Sequence, residues 1–286
     1  MKILVTGRHG QLARSLAELG GEAVTLAGRP ELDLAIPGSA RVAILAARPT
    51  LVINAAAFTA VDLAETEEEA AHRINVDAAE EVAAAAAELG APVIHISTDY
   101  VFDGRASAPY AETDATNPLG VYGRTKLAGE EAVRAANPRH LILRTSWLFS
   151  PFGKNFVSTM LALGRQRDRL SVVADQHGNP TSALDLADAI LLVARRWAEG
   201  DRTGLGQTYH LAGSGIASWF DLAVAVQQEA ATGTPVSPIT TADWPTPAAR
   251  PAYSALDSGK FARDFGHVLP DWRVSLAPII ARLAAA

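Results

Sequence analysis

The chain has no cysteine among its 286 residues, which excludes disulfides and thiolate metal sites and fits a reducing compartment. It also lacks a basic excess. Its 25 Lys and Arg stand against 31 Asp and Glu, a formal charge of −6, so no positive field is available for general nucleic-acid binding. No uninterrupted apolar run approaches the roughly 18 residues that suggest a membrane span. The first residues, Met1 to Gly7, run directly into a strand pattern, without the apolar stretch and small-residue cleavage site of a signal peptide. His9, His72, His95, His140, His177, His210 and His267 are scattered and read as surface or core residues, so no metal is expected. The composition that remains, 49% hydrophobic and 20% charged, is that of a globular protein able to bury a full core. The expectation is a cytoplasmic protein, monomer or homodimer, with a small-molecule partner, no nucleic acid and no membrane.

Short β-branched runs alternate with helix-like stretches along the first half. The runs are Lys2–Thr6, Ala23–Leu26, Leu51–Asn54, Pro92–Ser97 and Leu141–Thr145. Between them lie Gln11–Leu19, Ser39–Ala47, Glu67–Leu89 and Val121–Ala135. Buried runs of this length alternating with amphipathic helices predict an α/β fold with a doubly wound parallel sheet, Rossmann-like. Right-handed crossovers then bring all strand C-terminal ends to one edge, where such folds bind ligands. The low-complexity run Ala83–Ala87 reads as good helix former. Asp185–Arg196 and Thr208–Leu211 read as one more helix and strand for the sheet. The predicted division is a dinucleotide-binding domain of residues 1–147 plus about 184–212, and a smaller substrate-binding domain of 148–183 plus 213–286.

Three stretches carry chemistry. The first is Thr6-Gly7-Arg8-His9-Gly10-Gln11-Leu12-Ala13, which follows the first strand and opens the first helix. Gly7 permits the tight turn, Gly10 lets backbone approach a pyrophosphate, and Ala13 is small enough for the helix to pack on the sheet. The helix N-terminus presents free N–H groups to phosphate. The spacing, G-x-x-G-x-x-A, matches the general dinucleotide fingerprint only loosely. The second strand ends in Leu26-Ala27-Gly28-Arg29, without the acidic residue that usually meets the adenosine ribose. Arg29 is either a partner for a 2′-phosphate, which favours NADPH, or a solvated loop residue, so NADPH and NADH both stay open.

The second stretch is Tyr122-Gly123-Arg124-Thr125-Lys126 on a predicted helix. Four residues at about 100° each return Lys126 to within about 40° of Tyr122, so both reach one site. A nearby ammonium favours phenolate, which brings a phenol of pKa about 10 closer to neutral acid–base work. The third stretch, Ile96-Ser97-Thr98-Asp99-Tyr100-Val101-Phe102, follows a strand at the ligand-binding edge. There Thr98 can supply a second hydroxyl to the same carbonyl oxygen.

These stretches, with Asn54 to Asp62, Leu143 to Phe149, Asp175 to Thr181 and Arg250 to Ser254, resemble the extended short-chain dehydrogenases. Within them the likeness is greatest to the dTDP-4-dehydrorhamnose reductase family, and it covers essentially the whole chain. The resemblance implies NAD(P)H-dependent reduction of the C4 keto group of a dTDP-4-keto-6-deoxy sugar. It implies that Gly10, Gln11 and Leu12 contact the cofactor phosphates, with Gly7 shaping the turn, and that Asp33 and Leu34 flank the adenine. Ala57, Phe58 and Thr59 would line the nicotinamide side. Lys126 would hold the nicotinamide ribose and tune Tyr122, the proton donor. Thr98 and Asp99 would hold the sugar near C4, with Trp147 packed on it. Val61, Tyr100 and Asn155 are further candidate substrate contacts. The chain departs from the family at Ala13, where glycine is frequent, and at Phe58, where His or Tyr is.

Two other readings share this fold. A sugar-nucleotide dehydratase or epimerase uses the same Tyr–Lys pair, but dehydratases carry Asp-Glu where this chain has Asp99-Tyr100. A non-catalytic NADP-binding regulatory subunit would have no need of Thr98, Tyr122 and Lys126. The acidic cluster Glu65-Thr66-Glu67-Glu68-Glu69 reads as a helix start, where negative charge meets the helix dipole.

Overall fold

The computed structural model describes residues 1–285; Ala286, the last residue of the second predicted unit, lies outside it. Six parallel strands form the centre, in the spatial order Gln207–His210, His140–Thr145, Val93–Thr98, Leu51–Asn54, Ile3–Thr6, Val24–Ala27. Each lies within one residue of its predicted bounds. The second strand pairs on one side of the first and the third on the other. The order therefore reverses between Ile3–Thr6 and Leu51–Asn54, and such a reversal parts the loops at the carboxyl ends into a crevice. Among the described residues no helix is long and apolar enough to cross a membrane.

Successive side chains of a strand point to opposite faces, and both faces here are covered. Ile3, Val5, Ile53, Ile94 and Leu143 pack against Leu12 and Leu16 of helix Gln11–Gly20 and Leu186 and Ile190 of helix Ala183–Ala198. Leu4, Val52 and Val93 pack the other way, against Ile44 and the alanine-rich helix Ala78–Glu88. Ala83, Ala85 and Ala86 of the low-complexity run are fully buried there. Small side chains let that helix lie close to its neighbours.

The predicted single helix Glu67–Leu89 is instead Glu68–His72, a π-helical turn Arg73–Asp77, and Ala78–Glu88. The reason is Asn75, which the wider turn aims inward. Its Oδ1 accepts from the Phe58 N–H (2.8 Å), and its Nδ2 donates to Phe58 O (3.3 Å) and Thr125 Oγ1 (3.0 Å). A π turn inserts one residue into the helical ladder, often near functional sites. Here it clips the loop after the third strand to helix Val121–Ala136.

That helix carries the Tyr-x-x-x-Lys stretch and packs directly on the segment after Thr98. A Cβ on Gly123 would lie 2.2 Å from Tyr100 O, so only glycine allows this approach. Its N-terminus has no side-chain cap of its own. Glu65 supplies one from the acidic cluster, its Oε1 accepting from the Val121 N–H at 2.8 Å. The cluster's first carboxylate thus serves a different helix from the one the sequence suggests.

Residues beyond Trp147 build a second core of Phe149, Val157, Leu161, Val172, Leu222, Val226, Trp272, Leu276 and Ile279. Helices Phe156–Gly164, Trp219–Glu229 and Trp272–Ala285 surround it, with the parallel pair Leu170–Val173 and Val236–Ile239. This unit overhangs the carboxyl edge of the sheet. Across the overhang Arg250 pairs with Asp62, Nη2 to Oδ2 at 2.8 Å, joining the later loops to the segment after the third strand.

Candidate active site

A cavity of about 520 Å³ opens at the carboxyl edge of the sheet. Every strand that could reach it contributes: His9, Gly10, Gln11 and Leu12 after the first, Ala55, Ala57, Thr59 and Val61 after the third, Thr98, Asp99 and Tyr100 after the fourth, and Thr145, Ser146 and Trp147 after the fifth. Tyr122 and Lys126 reach it from their helix. Residues far apart in sequence meet because parallel strands end together.

The glycine turn leaves backbone amides free at the start of a helix. Gly7 adopts φ +95°, and a Cβ there would lie 3.2 Å from the Ala56 side chain. Gly10 begins the helix Gln11–Gly20 in extended backbone, and no side chain caps it. The amides of the first turn thus keep the unpaired N–H groups that bind phosphate at helix N-termini. A pyrophosphate fits this turn on the chemistry of its donors.

Opposite the turn, Thr98 Oγ1 donates to Asp99 Oδ1 at 3.0 Å and accepts from the Tyr100 N–H at 3.2 Å. Tyr122 stands in the same wall. Burial pushes Tyr122 up to about 12, and the neighbouring Thr98 hydroxyl only partly opposes it. The sequence reading, in which the lysine lowers the phenol, is therefore not what dominates here: desolvation wins, and Tyr122 holds its proton at neutral pH. Burial moves Lys126 the other way, down to about 8, against the charge of Glu130. Its Nζ donates to Ile96 O at 2.7 Å.

Asp99 is buried and pushed up to about 6 by desolvation, with the nearby hydroxyls of Ser254 and Thr98 opposing. Its Oδ2 and the neighbouring Thr145 Oγ1 are buried polar atoms without a partner. Orphaned groups of this kind cost stability unless something bonds them, and both stand in the wall where a polyhydroxy ligand would lie. The raised value carries a stability consequence. Below pH 3.8, the ordinary carboxyl value, Asp99 is protonated folded or unfolded and adds no penalty. As pH rises to about 6 the folded state must either keep the proton or bury the charge, so stability falls by at most about 3 kcal/mol. Asp99→Asn removes that slope. Melts at pH 4 and pH 8 should show the variant gaining on the parent at the higher pH; an equal difference at both would show that Asp99 titrates normally.

Trp147 takes a left-handed backbone, φ +47°, unusual for a side chain of this size. Its ring stacks on Trp219 with centroids 3.5 Å apart and planes within 4°, and abuts Gly178. Such backbone strain costs roughly 1–3 kcal/mol and collects at binding sites.

Several residues singled out from the sequence stand elsewhere. Gly7 and Phe58 lie behind the cavity wall, Phe58 packing with Val121 and Tyr122. Leu34 is buried in the core with Leu4, Leu32 and Ile44, while Asp33 Oδ1 accepts from the Ala35 N–H in a local turn. Asn155 caps helix Phe156–Gly164 through Ser158, and its Nδ2 donates to Ser150 O, so its polar atoms are engaged. Arg29 is exposed at the end of the second strand, its carbonyl near Arg8 Nη1, and Arg8 pairs with Glu31. Sequence reasoning missed Thr145, Lys154, His9 and Trp219, all in the wall. Thr145 lay in a quoted motif; Lys154 and Trp219 had no local signal.

A parallel sheet with a glycine turn on one side of its switch point and a Tyr-x-x-x-Lys helix on the other defines an oxidoreductase of the extended short-chain dehydrogenase class. The family model described as RmlD substrate binding domain matches residues 1–285. The dTDP-4-dehydrorhamnose reductase of Sinorhizobium fredii is 47% identical over 98% of this chain and 97% of its own length. Among solved structures, a dTDP-4-dehydrorhamnose reductase from Clostridium acetobutylicum superposes with a TM-score of 0.92 at 40% identity, covering 99% of this chain and all of that one. The Bacillus anthracis dTDP-4-dehydrorhamnose reductase, solved in complex with NADP, gives 0.91 at 35% identity over 98% of this chain and 99% of its own. The chain belongs to the dTDP-4-dehydrorhamnose reductase family.

Proposed function

We propose that this chain reduces the C4 keto group of dTDP-4-dehydrorhamnose to give dTDP-rhamnose, using NADPH or NADH. The observation that carries the reading is the convergence of Thr98, Tyr122 and Lys126 on one cavity, opposite the free amides of Gln11 and Leu12 at the start of the first helix. A nicotinamide held beside Ala57 and Thr59 would supply hydride to C4. The chain's own residues do the rest. Tyr122, protonated because it is buried, delivers its proton to the ketone oxygen as negative charge develops there. Thr98, turning its hydroxyl hydrogen away from Asp99, steadies the same oxygen. Lys126 lies at the cofactor side, and Asp99 and Thr145 offer their unpaired oxygens to the sugar. Trp147, backed by Trp219, provides an apolar wall. Gln11 and Leu12 hold phosphate through backbone N–H groups, Gly10 lets the backbone approach it, and Lys154 is a second cation in the wall. The roles inferred for Asp33 and Leu34 at the adenine rest on the family resemblance, as does a cytoplasmic enzyme acting as monomer or homodimer.

The test is stoichiometric. One NAD(P)H should be oxidised per dTDP-4-keto-6-deoxyhexose, with a 4-hydroxy product by NMR. Loss of water from dTDP-glucose with NAD alone would make the chain a dehydratase; binding of NADP without turnover of any keto sugar would make it a regulatory subunit. Cofactor choice is tested at Arg29, whose side chain is free at the end of the second strand. Arg29→Ala should weaken NADPH more than tenfold and leave NADH nearly unchanged, since a charge-assisted contact is worth about 1.5–3 kcal/mol. Equal effects on both cofactors would place Arg29 in solvent only.

A further inference from the structure

The second strand ends without an acidic residue, yet the fold sets a carboxylate at that end. Val24–Ala27 is the outermost strand of the sheet, and Gly28 follows it. A Cβ on Gly28 would lie 2.9 Å from the Arg8 Cβ and 3.0 Å from the Arg8 N, so the glycine turn rests directly on the strand end. The Gly7 N–H holds the same contact, donating to Ala27 O at 2.8 Å. From there the Arg8 side chain follows the loop after the strand. Its Nη1 donates to Arg29 O at 3.5 Å, and its Nη2 pairs with Glu31 Oε2 at 2.9 Å. Residues 28–32 are fixed at both ends. The Leu32 N–H donates to Gly28 O at 3.1 Å, and Leu32 is buried in one cluster with Leu4, Leu34 and Ile44. Asp33, two residues beyond Glu31, has its Oδ1 engaged by the Ala35 N–H. The side chains of Arg8 and Glu31 are 37% and 61% exposed, so a ligand reaches both.

In doubly wound folds the adenosine ribose of a dinucleotide meets the carboxyl end of the second strand. A carboxylate there binds the 2′-hydroxyl of NAD, and an arginine accommodates the 2′-phosphate of NADP. This chain has both groups at that place, tied to each other. We propose that the Arg8–Glu31 pair selects between the two cofactors. With NADH the pair stays closed and Glu31 accepts from the 2′-hydroxyl. With NADPH the phosphate draws Arg8 away from Glu31. An exposed ion pair is weak, while an arginine–phosphate contact is charge-assisted and often bidentate, so the exchange favours the phosphate. Glu31 limits the gain by holding the guanidinium that the phosphate needs. Arg29 is exposed on the same loop and adds a second cation, but no carboxylate pairing of the Arg8 kind gates it. The proposal rests on the reading that the glycine turn receives NADPH or NADH, and goes beyond it in naming the residues that set the ratio.

The test is the dissociation constant of each cofactor, measured by calorimetric titration of NADPH and NADH in parallel, with no sugar present. Glu31→Gln keeps the size of the side chain and an acceptor oxygen but removes the charge that holds Arg8. It should tighten NADPH about fivefold, the equivalent of one exposed ion pair, and leave NADH within about threefold. Arg8→Gln should weaken NADPH about tenfold or more, the loss of a charge-assisted contact, and leave NADH within about threefold. Glu31→Ala removes the acceptor as well, so it should weaken NADH by about threefold to tenfold while still tightening NADPH. In the Arg8→Gln background the gain from Glu31→Gln should disappear, because Glu31 acts on the phosphate through Arg8. An equal gain in both backgrounds overturns the pair as selector, as does an NADPH-to-NADH ratio that Glu31→Gln leaves unmoved. Neither side chain belongs to a hydrophobic core, so the variants keep the packing of the parent. If the unaltered protein binds neither dinucleotide, the oxidoreductase reading falls and takes the proposal with it. If both bind and the ratio stays fixed, only the proposal falls.

Discussion

Tyr122→Phe should leave cofactor binding intact and lower turnover by about 10²-fold or more, because a positioned general acid contributes roughly 10²–10⁴. The substitution deletes one oxygen from a half-buried ring that packs edge-on against Tyr100 at 5.6 Å, so the helix and its neighbours keep their packing. It removes the proton that the phenol holds through neutral pH, its value having been pushed up to about 12 by burial. The loss should appear in kcat, with the dissociation constant for NAD(P)H within a factor of about two of the parent, since the phosphate-binding turn lies across the cavity. Parallel steady-state kinetics and cofactor titration check this. Turnover within about threefold of the parent would take the acid role from Tyr122 and leave Asp99 as the nearest proton carrier.

Glu130→Gln should be the most destabilising conservative change in the chain, costing about 3–5 kcal/mol. Glu130 is fully buried under the helix that carries Tyr122 and Lys126. Its Oε1 accepts from Ser97 Oγ (2.6 Å) and Arg144 Nε (2.8 Å), and its Oε2 from Arg144 Nη2 and Arg134 Nη2, both at 2.8 Å. Glutamine fills the same volume but leaves Arg144, itself buried, without a counter-charge. The pH dependence has a definite sign. Burial alone would raise Glu130, but Arg144, Ser97 and Arg134 hold it below the ordinary 4.5. A depressed carboxylate stabilises the fold above its unfolded value and loses that contribution as pH falls through its folded one. The deficit of the variant should therefore be full at pH 7 and shrink below pH 4.5. Thermal melts across that interval check it; a deficit that does not change with pH would assign the loss to packing rather than charge.

The alternation of β-branched runs with amphipathic stretches was sufficient to place all six strands of the sheet within a residue, because buried parallel strands leave a local hydrophobic record. The same local record located the glycine turn, Thr98, Tyr122 and Lys126, since each sits at a strand end or on one face of a helix. What local pattern could not supply was anything decided between elements. The helix expected across Glu67–Leu89 contains a π turn because Asn75 has partners on Phe58 and Thr125, one 17 and the other 50 residues away. Glu65 looked like the start of its own helix and instead caps another 56 residues on. The scattered histidines looked alike in sequence, and only strand register put His95 beside Asn54 and Lys126. Desolvation is likewise a property of the fold, not the motif: the phenol of Tyr122 rises and the amine of Lys126 falls because both are enclosed. The sequence by itself determined where the glycine turn, Thr98 and the Tyr122–Lys126 pair lie along the strands and helices, because that is local pattern; tertiary burial decided which groups hold a proton at neutral pH, because desolvation is set by packing.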